Sequence, residues 1–267
     1  MDMTKREKQF HIHLGPEDQV GRYAILPGDP GRCEAIARLM DEPVHVGMNR
    51  EYNCWKGKLL GETVTVLSTG IGGASTAIAV EELAQLGVHT MIRCGTCGGI
   101  REDVQSGDLI VATGSVRMEG TTREYAPPEY PAVPDFDITC ALMDAAREEG
   151  RRALAGVVQC KDSFYGQHSP QTMPISTTLL ERWEAWKRLG VLGSEMESST
   201  LFVVGAARDL RCGACFHVIW NQEREKLGLP QTEDLDTSAA VRVAVRAMRL
   251  VIERDRVKPP RMPKEYV

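Results

Sequence analysis

The chain has 267 residues, of which 42% are hydrophobic and 26% are charged, and its formal net charge is −5. This composition is typical of a globular protein, and the length suits one large domain rather than two. The net negative charge argues against a broad basic surface for nucleic acid or an anionic membrane, so any anion site has to be local.

The chain carries no sign of export or of membrane insertion. Its polar start is not followed by an apolar run, so no secretory signal is predicted. No apolar run reaches the roughly 18 residues of a transmembrane helix. The eight cysteines lack the spacing of a small disulfide framework, which predicts reduced thiols and a cytoplasmic protein.

In the first half of the chain, three apolar runs each lead into a glycine-rich turn. Such runs, bounded by Gly or Pro, predict strands that are buried on both faces. The strands and the turns that follow them are Tyr23–Leu26 with Pro27–Pro30, Thr63–Leu67 with Ser68–Gly73, and Met91–Cys94 with Gly95–Gly99. Apolar residues at helical spacing predict a helix over Ala74–Leu86, which ends at Gly87.

The second half continues the alternation of strands and helices. Strands are predicted over Leu109–Ala112, Gly156–Gln159 and Ala214–Trp220. Helices are predicted over Ile138–Glu149, Ile175–Leu189, Ser198–Leu210 and Thr237–Arg254, of which the last is the most clearly amphipathic. This order predicts an α/β domain with a mixed, largely buried sheet that is covered by helices.

Two of the glycine-rich turns have an arginine beside them. Arg32 follows the first turn, and Arg93 precedes the third, which also contains Thr96. Glycine lets backbone N–H groups approach an anion, and arginine adds a charged fork that matches phosphate oxygens. Because no turn has the spacing of a dinucleotide-binding motif or a P-loop, a small phosphate is the favoured ligand. The alternative interpretation is that the first turn is only a turn and that Arg32 begins a solvated helix.

Several segments, taken together and in order, resemble the nucleoside phosphorylase-I family. The family motifs are Pro27–Arg32, Ser68–Gly73, Arg93–Thr96 and Glu195–Ser198. The segments Ala79–Gly87 and Asp162–Gln167 fit the uridine-cleaving branch of that family best. The resemblance runs from about His13 to the last helix and covers nearly the whole chain.

The resemblance implies one domain over residues 1–267, with a core of about 13–254 and flexible tails at both ends. Its fold would be a three-layer α/β/α sandwich whose central mixed sheet forms a distorted barrel. The implied activity is that of a pentosyltransferase that converts uridine and phosphate reversibly into uracil and ribose 1-phosphate. Phosphate is the co-substrate, and no organic cofactor is implied. The implied assembly is a homohexamer, a trimer of dimers with active sites shared across each dimer, which binds no nucleic acid and no membrane.

The family's phosphate and ribose sites fall on these motifs and on two residues that a neighbouring subunit would lend. The implied phosphate site is Gly28, Arg32, Arg93 and Thr96, with Arg50 of a neighbouring subunit. The implied ribose site is Met196 and Glu197, with His13 of a neighbouring subunit. Arg93, Glu197 and Arg32 are the implied catalytic residues.

The implied base site consists of Phe164, for stacking, and Gln167, whose amide faces the uracil edge. Some family members hold a monovalent cation such as K⁺ at the dimer interface, at positions that correspond here to Glu51, Ile71 and Ser75. The resemblance implies no other metal.

Residues of these types suit the cleavage of an N-glycosidic bond, which leaves positive charge on the ribose and negative charge on the base. Arginines hold phosphate under the anomeric carbon, so that the phosphate oxygen attacks from a bound and oriented position. A carboxylate such as Glu197 orients the ribose hydroxyls and suits a cationic sugar. The amide of Gln167 can donate to a carbonyl oxygen and accept from the ring N–H, and Phe164 offers an aromatic face. The alternatives are a solvated helix start for Glu197 and a core position for Phe164.

The base site departs from the uridine-cleaving pattern at two positions. The arginine that usually faces O4 of the pyrimidine falls on Ser169, and a second one falls on Gln222. Both losses affect one pocket, which indicates a rebuilt recognition edge in which His168, Gln222 or Arg224 substitutes. Purine-cleaving relatives need an aspartic acid just after the last strand, to protonate N7 of the purine. Asn221 cannot serve as that acid, which favours a pyrimidine.

Three alternatives stay open at this point. One is a phosphorylase that acts on a purine nucleoside or on a methylthioadenosine-type substrate. Another is a non-catalytic nucleoside-binding protein, which would be expected to lack the arginines and the ribose carboxylate that are present here. The third is a structural zinc on the pairs Cys94/Cys97 and Cys212/Cys215, although residues three apart on a strand point to opposite faces.

Overall fold

Nine strands form one sheet in the computed structural model, which describes residues 8–260. The strands are β1 (Tyr23–Pro27), β2 (Asp41–Asn49), β3 (Tyr52–Leu59), β4 (Glu62–Leu67), β5 (Thr90–Gly99), β6 (Leu109–Met118), β7 (Ala153–Lys161), β8 (Gly193–Glu195) and β9 (Arg211–Asn221). Their order across the sheet is β2-β3-β4-β1-β5-β8-β7-β6-β9. An additional pairing of β5 with β9 closes the last five strands into a barrel.

Eight α-helices surround this sheet within the same range. They are α1 (Arg32–Ala37), α2 (Gly73–Gln85), α3 (Phe136–Glu148), α4 (Phe164–His168), α5 (Ser176–Arg188), α6 (Ser198–Ala207), α7 (Gln222–Lys226) and α8 (Ser238–Val257). Short 3₁₀ helices occupy Pro16–Asp18, Thr121–Glu124 and Pro170–Thr172. None of the helices described is both long and apolar enough to cross a membrane.

A hydrophobic core lies on each face of the sheet. One core contains residues of α2 and α6, such as Leu83 and Phe202, and α6 is buried from Ser198 to Gly205. The other contains residues of α1, α3 and α8, such as Ile36, Leu142 and Met248. Helices therefore cover both faces, and the expected three-layer sandwich with a distorted barrel is confirmed.

The cysteine pairs considered for zinc are split between the two cores. Cys94 and Cys215 face each other on β5 and β9 in one core, while Cys97 and Cys212 lie in the other. All eight cysteines are free. The four thiols of the two pairs therefore do not converge on one point, because residues three apart on a strand face opposite ways.

The predicted flexible tails lie largely outside the described residues, since residues 1–7 and 261–267 are not described. Helix α8 continues three residues beyond its predicted end at Arg254, to Val257.

Candidate active site

The glycine-rich strand ends meet at one cavity of about 1100 Å³. Strands β1 and β5 run parallel, with Leu26 opposite Arg93, so the turn after β1 reaches the carboxyl-end half of β5. Most of the predicted site residues line this cavity, namely Gly28, Arg32, Glu51, Ile71, Arg93, Thr96, Phe164, Gln167, His168, Met196, Glu197 and Gln222. The structure therefore brings together predicted residues from seven separate parts of the chain.

Arg93 lies at the centre of the cavity and is almost completely buried. Its Nη2 donates to Oε2 of Glu197, and its Nε lies 3.7 Å from Oε2 of Glu195. Nη1 donates to Oγ1 of Thr69 at 3.3 Å. Nε has no hydrogen-bond partner among the described residues, which leaves one N–H donor free in a buried position. A free buried donor is costly unless a ligand completes it.

Glu197 is held from two sides. Arg93 contacts one carboxylate oxygen, and the backbone N–H of Gly72 donates to the other at 2.6 Å. Gly72 has φ +94°, which glycine adopts at little cost, so the turn after β4 can direct its N–H toward the carboxylate. Burial raises the pKa of Glu197, and the neighbouring Arg93 opposes that rise.

Glu195 fixes the turn that carries Glu197. Its carboxylate accepts hydrogen bonds from the backbone N–H of Glu197 at 2.9 Å and of Ser198 at 3.0 Å, and from Oγ of Ser198 at 2.5 Å. This arrangement satisfies N–H groups at the start of α6 and complements the helix dipole. Both glutamates are buried, so this is not the solvated helix start of the alternative interpretation.

The turn after β1 approaches Arg93 closely. A Cβ placed on Gly28 would lie 3.3 Å from the carbonyl oxygen of Gly70 and 3.6 Å from Nη2 of Arg93, so a larger residue would crowd the cavity. Nη1 of Arg32 is buried without a hydrogen-bond partner among the described residues, and Nε lies 3.8 Å from Oδ2 of Asp29. Arg32 therefore contributes a second unfilled donor to the same cavity.

Arg50 and His13 lie outside the lining of this cavity and are exposed. Both have a positive φ, +53° and +56°, and they belong to adjoining segments, because Nδ2 of Asn49 donates to the carbonyl oxygen of His11 at 2.6 Å. His11 is in turn anchored through Nδ1 to Glu82 at 2.7 Å. The two residues predicted for a neighbouring subunit's site thus share one surface and do not reach their own cavity.

Phe164, Gln167 and His168 lie together on α4 and line the cavity, and the part they line is called the base end after its predicted ligand. Ser163 caps this short helix, accepting from the N–H of Gly166 at 2.9 Å. Phe164 is 51% exposed and stacks at a tilt on His168, with ring centroids 4.3 Å apart, so it is not a core aromatic. Oε1 of Gln167 accepts from Oγ of Ser194 at 2.5 Å. Burial and the nearby ammonium of Lys161 lower the pKa of His168, which favours the neutral imidazole.

Of the two positions that lack the family's arginines, one lines the cavity and the other does not. Gln222 lines the cavity, and its Oε1 lies 3.5 Å from Nε2 of Gln167, whereas Ser169 does not line it. Arg224 is directed away, since its guanidinium donates to the carbonyl oxygens of Glu102 at 2.7 Å and Pro230 at 2.9 Å. Of the suggested substitutes, His168 and Gln222 are therefore in place, and Arg224 is not.

Asn221 has a structural role in this fold. Its Nδ2 donates to the carbonyl oxygens of Arg101 at 2.9 Å and Val104 at 2.8 Å. Its Oδ1 accepts from the N–H groups of Glu223 and Arg224 and caps α7. The side chain is fully buried in these contacts, so its amide is not free for a base.

Lys161 also lines the cavity, and sequence reasoning did not select it. It is the last residue of β7, its side chain is buried, and Nζ donates to Oγ of Ser194 at 2.6 Å. The only signal in the sequence is a lysine two residues after Gln159 at the end of an apolar run, a pattern that is also typical of a solvated strand end.

Two of the three predicted cation residues are in contact. Oγ of Ser75 donates to Oε1 of Glu51 at 2.7 Å, and a backbone hydrogen bond together with this hydroxyl lowers the pKa of Glu51. Ile71 is exposed beside them. Among residues 8–260, no group of three or more His, Cys, Asp or Glu side chains is placed to hold a metal ion. The monovalent cation stays a prediction.

Comparison with known proteins places this arrangement in a family. The sequence model of the phosphorylase superfamily matches residues 22–253. Uridine phosphorylase of Treponema pallidum is 53% identical over 247 residues, covering 92% of this chain and 95% of the relative. Uridine phosphorylase of Escherichia coli is 42% identical, covering 91% and 98%, and guanosine phosphorylase of Halorubrum lacusprofundi is 41% identical, covering 78% and 81%. The chain therefore belongs to the phosphorylase superfamily, as the order of its glycine-rich motifs predicted.

Proposed function

We propose that this protein is a pentosyltransferase that cleaves uridine with inorganic phosphate and releases uracil and ribose 1-phosphate. The observation that carries the proposal is the buried contact between Arg93 and Glu197. It joins a group suited to phosphate and a group suited to ribose hydroxyls in one cavity that the glycine-rich turns also line. The similarity to uridine phosphorylases over nearly the whole chain supports the same reaction.

Phosphate binds against Gly28, Arg32, Arg93 and Thr96 in this proposal. The unfilled donors of the two arginines take phosphate oxygens, which places an oxygen nucleophile below the anomeric carbon. Arg93 exchanges part of its contact with Glu197 for the phosphate, and the carboxylate becomes available to the ribose hydroxyls. The protein thus holds both reactants with groups that are already positioned before they bind.

The reaction then breaks the bond between the anomeric carbon and N1 of the base and forms a bond to a phosphate oxygen. The electron pair of the broken bond leaves with the base, which takes up a proton after release. Glu197 stabilises the cationic sugar between the two steps. Gln167 and the Phe164 face hold the base, and contacts that tighten as the base becomes an anion lower the barrier.

The hydrogen bonds of the Asn221 side chain favour a pyrimidine over a purine as the substrate's base. Its amide is committed to two loop carbonyls and to the cap of α7, so neither it nor an aspartate in the same pose would be free to protonate a purine. Because a guanosine phosphorylase is 41% identical to this chain, cleavage of a purine nucleoside is the alternative reaction to test.

We further propose that the active enzyme is a hexamer of three dimers in the cytoplasm. Exposed His13 and Arg50 lie on adjoining segments and are suited to enter a neighbouring subunit's cavity, where Arg50 would add a third arginine to the phosphate. Eight free cysteines suit a reducing compartment. Phosphate is the co-substrate, no organic cofactor is required, and K⁺ is the candidate ion beside Glu51 and Ser75.

The test is an assay of the purified protein with phosphate and a panel of uridine, thymidine, inosine, guanosine and methylthioadenosine, followed by chromatography of the released bases. We expect phosphate-dependent release of uracil from uridine at the highest kcat/KM. Release of hypoxanthine or guanine in preference to uracil would replace the proposal with the purine reaction. Tight nucleoside binding without any release would replace it with a binding function.

A further inference from the structure

Lys161 occupies a defined place at the base end of the cavity. Strands β7 and β8 are parallel, and their register sets Gln159 opposite Ser194. Because side chains two apart on a strand share a face, Lys161 projects to the same side as Gln159. The ammonium consequently meets Ser194, whose Oγ it contacts at 2.6 Å.

The Lys161 ammonium has more donors than partners. The side chain is 95% buried, since only 5% of the residue is exposed. Among residues 8–260, Ser194 is the hydrogen-bond partner of Nζ, and the carboxylates of Glu195 and Glu197 act on the ammonium electrostatically. An ammonium carries three N–H donors, and leaving a buried cation without partners is costly. Two donors are therefore available to a molecule in the cavity that Lys161 lines.

Lys161 is linked through one residue, Ser194, to the amide that is predicted to contact the base. Oγ of Ser194 contacts Oε1 of Gln167 at 2.5 Å, so Ser194 lies between the ammonium and that amide. The ammonium and the amide are thus held together in the cavity that Phe164 also lines.

The charges around the base end leave Lys161 without a substitute. Beside Lys161, the cavity is lined by Phe164, Gln167, His168 and Gln222, whereas the cations Arg182 and Lys226 line only the adjoining cavity. Of the described residues that line this cavity, Lys161 is the one with an ammonium group. Burial lowers the pKa of Lys161 and the carboxylates of Glu195 and Glu197 oppose that change, whereas the pKa of His168 is lowered by burial and by Lys161, and Arg224 is directed away. A departing pyrimidine gathers negative charge on its carbonyl oxygens, and a fixed cation beside it is worth more in the transition state than in the ground state.

We propose that Lys161 is the group that stabilises the negative charge on a carbonyl oxygen of the departing pyrimidine, in place of the arginines missing at Ser169 and Gln222. The inference rests on the proposed function, because it assigns a role within that reaction. It predicts a preference for bases that leave as carbonyl-bearing anions, such as uracil and thymine.

The experiment compares Lys161→Met and Lys161→Arg with the unchanged enzyme on uridine and on 5-fluorouridine. Fluorine makes the base a better leaving group, which needs less stabilisation. We expect Lys161→Met to lower kcat/KM for uridine by roughly 10²- to 10³-fold, the effect of removing one positioned donor, and to lower it less for 5-fluorouridine. Lys161→Arg should retain more activity, and the KM for phosphate should change little in both. Lys58→Met, on β3, where Lys58 pairs with Glu42 outside the cavity, is the matched control and should behave like the unchanged enzyme.

Equal losses on both nucleosides, or equal losses in the Met and Arg variants, would overturn the assignment and indicate a structural role. Calorimetric binding of 5-nitrouracil, which is far more acidic than uracil, tests the charge without turnover. Weaker binding of its anion to Lys161→Met supports the assignment, and equal binding overturns it. If the unchanged enzyme binds this anion through Lys161 but cleaves no pyrimidine nucleoside, the proposed function is wrong, and the contact of Lys161 with a pyrimidine anion is not.

Discussion

Arg93 and Glu197 form an ion pair in which the two side chains are only 5% and 6% exposed, although they lie 104 positions apart in the chain. Burying one charge without the other would cost several kcal/mol, so each residue stabilises the charged form of its partner. The pair therefore fixes Arg93, the residue proposed to bind phosphate, against Glu197, the residue proposed to bind the sugar.

Replacing Arg93 by Ala is expected to abolish phosphate-dependent cleavage, with a loss of at least about 10²- to 10³-fold in kcat/KM. It removes the phosphate donor and leaves Glu197 buried without its cation. Steady-state assays with varied phosphate measure the loss, and circular dichroism checks the fold. Arg147→Ala, on the exposed surface of α3, is the control. Unchanged turnover in Arg93→Ala would remove this residue from the site.

The pH profile should report on Glu197. Burial raises its pKa above the ordinary value of 4.5, so the carboxylate gains a proton at a higher pH than a solvated glutamate does. Activity that needs the carboxylate should therefore fall as the pH is lowered, starting above the usual glutamate range. Glu197→Gln should be slow at every pH and should lack this acid limb. The measurement is kcat/KM for uridine against pH, and an identical acid limb in the variant would contradict the assignment.

Gln167→Ala should weaken base recognition more than phosphate binding. The variant loses the amide at the base end but leaves Arg32 and Arg93 in place. We expect a higher KM for uridine and a nearly unchanged KM for phosphate. Gln85→Ala at the exposed end of α2 is the control. The opposite pattern, with phosphate affected more, would mean that the two ends of the cavity are assigned the wrong way round.

Subunit mixing tests whether Arg50 serves a neighbouring subunit. Arg50→Ala and Arg93→Ala subunits should each be nearly inactive alone, but a mixed dimer has one site with both residues intact. Random one-to-one mixing should therefore restore about a quarter of the sites. Arg32→Ala mixed with Arg93→Ala is the control, because both changes lie in the same subunit's half and no site is restored. A lack of recovery in the first mixture alone would exclude sharing.

Stability in acid should depend on Glu223, which joins α5 to α7 through Trp183, Lys187 and Lys226. Burial acts to raise the pKa of Glu223, but these hydrogen bonds outweigh it and lower the pKa from 4.5 to about 2. The carboxylate thus stabilises the fold above pH 4.5, and this contribution is lost as the pH falls toward 2.

Glu223→Gln should lower the free energy of unfolding at pH 7 by about 1–3 kcal/mol, the value of hydrogen bonds to a buried charged group. The gap between the variant and the unchanged protein should close as the pH approaches 2. Urea unfolding at several pH values measures both. A gap that stays constant with pH would show that the charge of Glu223 is not the cause.

Strands with continuous apolar runs could be predicted from the sequence, whereas strands without such runs were not predicted. Strand β2 has mostly exposed residues and contains Pro43, which an edge strand tolerates, so it lacks a hydrophobic pattern. Strand β8 has only three residues, Gly193–Glu195, and forms because β5 and β7 pair with it from both sides. Such strands depend on their neighbours and not on their own composition.

The site was predictable where family motifs carry it and not where single residues do. Arg93 and Glu197 belong to motifs, and the structure brings both to one cavity. Lys161 gave only an unspecific signal, because its position beside Ser194 depends on the register that sets Ser194 opposite Gln159. The direction of the Arg224 side chain likewise follows from the loop carbonyls around it, which local sequence does not specify.

Strand β5 belongs at once to the open part of the sheet, through β1, and to the closed barrel, through β8 and β9. It also carries Arg93 and Thr96. Catalytic competence and cooperative folding are consequently inseparable in this chain, since a partly folded species with either half melted would lose a wall of the anion pocket. A proteolytic nick that frees one half should silence the enzyme outright instead of leaving a weakened remnant.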